Sequence, residues 1–284
     1  MISWKVKRIL ITVVIVCVGF GLILYPYISN YIYELQQSQH FKEYQEETLQ
    51  LDDQIIEEEL QKAHDYNETL QKSSIVLSDP MEANVSKSIY FHDYMNLLNI
   101  FDNQIMGYVE IPKIDVYLPI FHGTSQEVLE NGAGHLENTS LPVGGESTHT
   151  VISAHAGLND KRLFTDLELL EKGDVFSFHV LNQVLTYEVD QILVVEPQNT
   201  SNLYIVPHQD YATLLTCTPY GVNSHRLLVR GHRVDNVENL QTNEDVRKQS
   251  QWFKEYRRAF ISGIVMILVI VFGYEIYSWR KKRR

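Results

Sequence analysis

Apolar positions along this chain fall into three regimes. Ile9–Leu24 and Ala259–Tyr274 are apolar on every side, so neither suits a helix lying on a water-facing core. Each is close to the minimum for crossing about 30 Å of hydrocarbon. Aromatic residues flank both, with Trp4, Tyr25 and Tyr27 at the first and Phe253, Tyr256, Tyr277 and Trp279 at the second, as expected at a membrane interface. From residue 31 to about 72 the pattern changes. There Glu, Gln, Lys and Leu dominate, and Gly and Pro are absent. Leu35, Phe41, Tyr44, Leu49 and Leu51, then Ile55, Ile56, Leu60 and Ala63, recur at roughly helical spacing. This predicts one or two amphipathic helices with a break at Asp52–Asp53. The pattern leaves open whether they form a solvated spacer or pack on a domain.

The third regime has period two. Ser73–Asn84 comes first and reads as a loop, because Pro80 ends a helical pattern and pushes Asp79 to an extended conformation. Tyr90–Phe101 is mixed and predicts a helix. Met106–Pro112 and Ile114–Ile120 then alternate apolar with polar, as strands do. Further strands are predicted at Thr150–His155, Val175–Val180, Val184–Val195, Ala212–Cys217 and Arg226–His232, with a short helix at Leu163–Leu170. Gly132, Gly134, Gly144 and Gly145 mark turns. Many short strands with few helices predict a mainly β fold closed into a barrel.

Charge adds topology. The chain of 284 residues carries 36 acidic and 24 basic side chains, net −12, which argues against a nucleic-acid partner. The basic residues are unevenly placed. Lys5, Lys7 and Arg8 precede the first apolar run, and Arg280–Arg284 follow the second. The positive-inside rule then puts both termini in the cytoplasm and roughly residues 30–255 outside. Pro26 and Tyr27 stand where a signal peptidase needs small residues, so the first run reads as an uncleaved anchor. No Leu-Pro-x-Thr-Gly motif precedes residue 259, which argues against a wall-anchoring signal at the C-terminus.

There are two cysteines. Cys17 lies in the first apolar run, so Cys217 has no disulfide partner in its own compartment. A lone thiol at a strand end is a candidate nucleophile, though an unpaired cysteine can equally be packed and inert. Two other strand ends carry complementary groups, His155 for proton transfer and Arg226 for a developing oxyanion. His122, His135, His149, His225 and His232 lack the close spacing of metal ligands, so no metal site is expected.

The flanks of these residues sharpen the reading. Thr213-Leu-Leu-Thr-Cys-Thr-Pro219, then Arg226 nine residues after Cys217 in His-Arg-Leu-Leu-Val-Arg-Gly-His-Arg, resembles the sortase signature. Pro142-Val-Gly-Gly-Glu-Ser-Thr-His-Thr150 and His155-Ala-Gly-Leu158 resemble it too, and the similarity covers about residues 105–235. The resemblance implies an eight-stranded barrel with His155, Cys217 and Arg226 as the catalytic set and no cofactor. The two spans, the helical N-terminal region and the Asp79–Pro80 loop resemble the pilus-assembling, class C branch. There an Asp-Pro-aromatic lid covers the site, its Asp pairing with the Arg, which assigns Asp79, Pro80 and Met81 to a lid. Met81 stands where the lid usually has an aromatic ring, and Ala156 where many relatives carry Arg.

The division expected is a cytoplasmic tail over 1–8, an anchor over 9–28, a helical region over 29–72 and a lid loop over 73–90. The catalytic barrel follows over 91–236, a linker over 237–258, a second transmembrane helix over 259–276 and a basic tail over 277–284. The implied activity is a membrane-bound transpeptidase that cleaves an LPxTG-type sorting signal and joins it to a pilin lysine. Its rivals are attachment of surface proteins to peptidoglycan, a Cys–His endopeptidase of another fold, and a non-enzymatic adhesin or scaffold.

Overall fold

The structure is a computed structural model that describes residues 4–73, 75–81, 94–101, 103–158, 160–235, 257–258, 260–265 and 269. The eight strands are β1 Ile105–Ile111, β2 Val116–His122, β3 Ala133–His135, β4 Thr148–Ser153, β5 Val175–Val180, β6 Gln183–Val195, β7 Asp210–Thr218 and β8 His225–Val234. They close in the order β1-β2-β3-β4-β7-β8-β6-β5. β2 runs parallel to β3 and β4 parallel to β7, and the remaining neighbours are antiparallel.

Strands with clear alternation lie close to where their pattern puts them. β3 is different, because Gly132 and Gly134 read as turn markers, yet Gly132 directly precedes a three-residue strand and Gly134 is its middle residue. A Cβ on Gly134 would meet the Gly123 carbonyl oxygen at 2.3 Å, so the glycine is needed for close backbone approach rather than for a turn. Ser125 caps a short helix, α3 Gln126–Asn131, that periodicity did not predict. Over Leu163–Leu170 only Leu167–Leu169 form a 3-10 turn. Of the helix expected over Tyr90–Phe101, residues 90–93 lie outside the described residues and Tyr94 is helical; the correction concerns the part after Tyr94, where the backbone only makes turns.

The helical N-terminal region packs on the barrel and is no spacer. α1 runs unbroken from Trp4 to Thr48 through Pro26, so a single helix carries both the apolar run and the first part of the amphipathic segment. Only this helix is long and apolar enough to cross a membrane among the described residues. Its far end docks through Tyr44, whose hydroxyl accepts from Leu181 N at 2.8 Å. Asp52 caps α2 (Asp53–Gln71) by accepting from Gln54 N at 2.9 Å. α2 then buries Ile56, Leu60 and Ala63 in the main core, and Asn67 holds both Leu141 N and Leu141 O. Residues 257–258 and 260–265 are helical, and the Phe260 ring meets Phe20 of α1 edge-on at 5.9 Å. Most of the expected linker and second span lies outside the described residues.

The core has two parts. Phe164, Phe176, Phe178, Tyr187, Ile152, Ala154, Leu214, Leu227 and Val229 belong to the barrel interior. Val151, Leu215 and Leu228 point the other way, onto the outer wall, and cluster with Leu136, Leu203 and Leu77. Alternation along each strand separates the two sets.

Candidate active site

Register brings the three chemically distinctive residues together. Cys217 pairs with Arg226 across β7–β8. On the other side of β7, the parallel ladder ends at Ser153 opposite Leu215. Ala154 prolongs it, donating its N–H to Leu215 O at 3.2 Å, while Thr216 Oγ1 donates to Ala154 O at 2.7 Å. One step further, His155 comes level with Cys217. The three residues thus occupy one row across β4, β7 and β8, on the face that carries Leu215 and Leu228. His155 lies two residues past β4, where a strand end was expected. The chain leaves the ladder there, because His155 O accepts from Phe164 N at 3.0 Å instead.

The loop after His155 is held at several points. Gly157 N donates to Thr165 Oγ1 at 3.0 Å. Buried Arg162 donates its backbone N–H to Asn30 Oδ1 of α1 at 2.8 Å and Nη2 to Ile114 O and Asp115 O at 2.6 and 2.8 Å. Pattern reading gave no sign of this clasp, since Asn30 and Arg162 sit in segments of different regime. Thr165 also borders a small cavity beside Cys217, together with Ala156, Glu168, Tyr220 and Leu227.

Asp79 reaches Arg226 from the loop before the barrel. Arg226 Nε donates to Asp79 Oδ1 at 2.9 Å and Nη2 to Oδ2 at 2.5 Å, a fork-on-carboxylate pair with both residues buried. The other guanidinium nitrogen, Nη1, donates to the carbonyls of Asn223 and His225. Pro80 is buried. Met81 N donates back to Asp79 Oδ1 at 3.3 Å, and the Met81 side chain packs with Ile75 against the outer-wall cluster, of which Leu77 is a member. Leu77 is tied further by Tyr204 OH and Thr200. Residues 82–90 of the expected lid lie outside the described residues.

Electrostatics in this arrangement oppose an ion pair. Burial raises the Cys217 thiol above its ordinary value. Arg226 opposes that shift and Asp79 adds to it. Burial also lowers His155, against a raising influence from Glu130. Two positive groups beside a cysteine would by themselves favour thiolate. With Asp79 seated on Arg226, burial dominates and the neutral thiol and imidazole are favoured. No cluster of three or more metal-ligating side chains occurs among the described residues.

A closed mixed barrel with cysteine, histidine and arginine in one row is the architecture of a cysteine acyl transferase. The Sortase domain family model matches residues 109–234. Sortase D of Bacillus subtilis is 30% identical over 173 residues, covering 59% of this chain and 83% of that protein. The chain belongs to the sortase family of cysteine transpeptidases. Among solved structures, Streptococcus pneumoniae sortase C is 46% identical over 71% of this chain and 100% of that one, with a TM-score of 0.63. The pilus-related sortase C of Group B Streptococcus is 48% identical over 66% and 93% of the two chains, with a TM-score of 0.60.

Proposed function

We propose that this sortase polymerises pilins outside the cell. Thiolate Cys217 attacks the Thr–Gly carbonyl of an LPxTG-type sorting signal. The C–N bond breaks, a thioester forms on sulfur, and protonated His155 gives its proton to the departing glycine amine. Arg226 stabilises the oxyanion of the tetrahedral intermediate. A lysine amine of the next pilin then attacks the thioester and releases Cys217. The peptide bond's energy is kept in the thioester, so neither nucleotide nor metal is consumed.

The carrying observation is the row His155–Cys217–Arg226 with Asp79 clasping its arginine. Asp79, Pro80 and Met81 act as a lid. While Asp79 occupies the guanidinium, Arg226 is not free for an oxyanion, and burial keeps His155 and Cys217 neutral. Substrate therefore selects a lid-open population. The apolar part of α1 is the membrane anchor. A second span over 259–276, with both termini cytoplasmic, would tether the barrel at both ends.

The test is mass spectrometry of the full-length protein incubated with an LPxTG-type peptide, with and without an amine acceptor. The wild type gains the mass of the acyl fragment on Cys217 and yields ligated product when amine is present; Cys217→Ala yields neither. Hydrolysis alone in the presence of amine would favour an endopeptidase, and product from Cys217→Ala would remove the nucleophile.

A further inference from the structure

The outer wall beside the site is a grid of side chains. Its first row is His155, Cys217 and Arg226, and its second is Ser153, Leu215 and Leu228, because Ser153 pairs with Leu215 and Leu215 with Leu228. Each second-row residue lies two positions along its strand from the first-row residue beside it, so both rows share a face. Leu215 and Leu228 are apolar and belong to the cluster on which Leu77 and Met81 pack. Ser153 is the exception in its row. It is wholly buried, and its Oγ has no hydrogen-bond partner among the described residues.

A buried hydroxyl without a partner costs stability, and alanine would fit the same space without that cost. A packing role does not explain the hydroxyl, because its neighbours in the row are leucines. The group lies one row from the reacting residues, about 7 Å along β4 from His155 at about 3.3 Å per residue. An extended peptide has nearly the same rise. A main-chain group about two residues from a carbonyl held over Cys217 therefore falls level with Ser153.

We propose that Ser153 is a substrate-binding residue whose hydroxyl hydrogen-bonds the main chain of the sorting signal about two residues before the scissile carbonyl. This rests on the transpeptidase reading above. The partner is the peptide backbone, so the bond fixes register rather than side-chain identity. Leu215 and Leu228 supply the apolar surface alongside. With Leu77 and Met81 seated on this wall, Ser153 Oγ stays unpaired. Lifting the lid lets the substrate complete it, so binding gains a hydrogen bond that the resting protein lacks.

The experiment pairs Ser153→Ala with peptides in which one amide at a time, through the residues before the threonine, is replaced by an ester. Thermal unfolding is followed on the same samples. Ser153→Ala is expected to leave the Tm unchanged or raise it, while kcat/KM for the all-amide peptide falls about five- to tenfold. One ester position should slow the wild type by a similar factor and make Ser153→Ala no worse than wild type. Ser153→Thr, which keeps the hydroxyl, retains more activity than alanine. A lower Tm for Ser153→Ala with unchanged kcat/KM would make the hydroxyl structural, and an equal penalty with every ester would remove the main-chain bond. If wild type forms no acyl-enzyme at all, the proposed function fails and this inference fails with it. An acylating wild type with an indifferent Ser153→Ala overturns this inference alone.

Discussion

At the residue scale the central relation is competition for Arg226. Its guanidinium can lower the Cys217 pKa, but Asp79 takes two of its nitrogens and adds negative potential beside the sulfur. Removing the carboxylate should therefore act on the thiol in two ways, by deleting a raising influence and by loosening the proposed lid. Asp79→Ala is expected to shift the pH profile of Cys217 alkylation by iodoacetamide toward lower pH and to speed the reaction several-fold at pH 7. The sign follows from the thiolate being the reactive species. A profile at the same pH and rate would show that Asp79 neither covers nor biases the thiol. The three residues proposed to react could be named from sequence because their flanks carry a recognisable signature. Asp79 came only with that resemblance, since nothing in a proline-containing loop indicates which cation it meets. Ser153 was illegible, because a serine in a strand differs from its neighbours only once its partners are known to be missing.

At the element scale, alternation found the long strands but not what lies between them. β3 is too short for a period to show, and its glycines serve close approach. β3 and β4 also bury histidines that are fully satisfied when neutral. His135 Nε2 donates to Ser140 O, and Tyr94 OH lies 2.9 Å from Nδ1. His149 Nδ1 donates to Tyr204 O, and its Nε2 accepts from Thr213 Oγ1. Burial pushes His135 down to about 3 and His149 down to about 4. The unfolded chain takes up protons near pH 6.5 while the folded one does not, so acid destabilises the fold. Each histidine should remove about 1.4 kcal/mol per pH unit below about 6.5, until its folded value is reached. Urea unfolding between pH 6 and 5 checks this. His149→Gln should have a shallower slope than wild type by about 1.4 kcal/mol per pH unit, and equal slopes would mean that His149 charges without unfolding the barrel.

At the scale of the whole molecule, the helix that carries the apolar run is also a support of the active site. α1 continues without a break past Leu24, and Asn30 lies six residues, or about 9 Å, beyond it. There Asn30 accepts the Arg162 backbone N–H, and Glu34 Oε1 stands 3.6 Å from Arg162 Nε. Arg162 belongs to the loop that returns to bond His155 O through Phe164. An anchor regarded as a mere tether predicts that a change at Asn30 affects stability alone. The clasp predicts otherwise. Asn30→Ala frees the Arg162 amide and lets the loop shift, and misplacing the proposed proton donor His155 by about 1 Å is costly to the chemical step. In full-length protein in detergent micelles, Asn30→Ala should lower kcat about tenfold with KM little changed, because the wall that holds the substrate lies on the strands β4, β7 and β8 and not on this loop. Asn30→Asp keeps the acceptor oxygen for the Arg162 amide but turns the Nδ2 donor to Glu34 Oε1 into a carboxylate, so it is made together with Glu34→Gln and should then restore most of the loss. A drop in Tm with kcat unchanged would reduce α1 to an anchor. A matched loss of kcat in both variants would show that the helix acts through something other than this hydrogen bond.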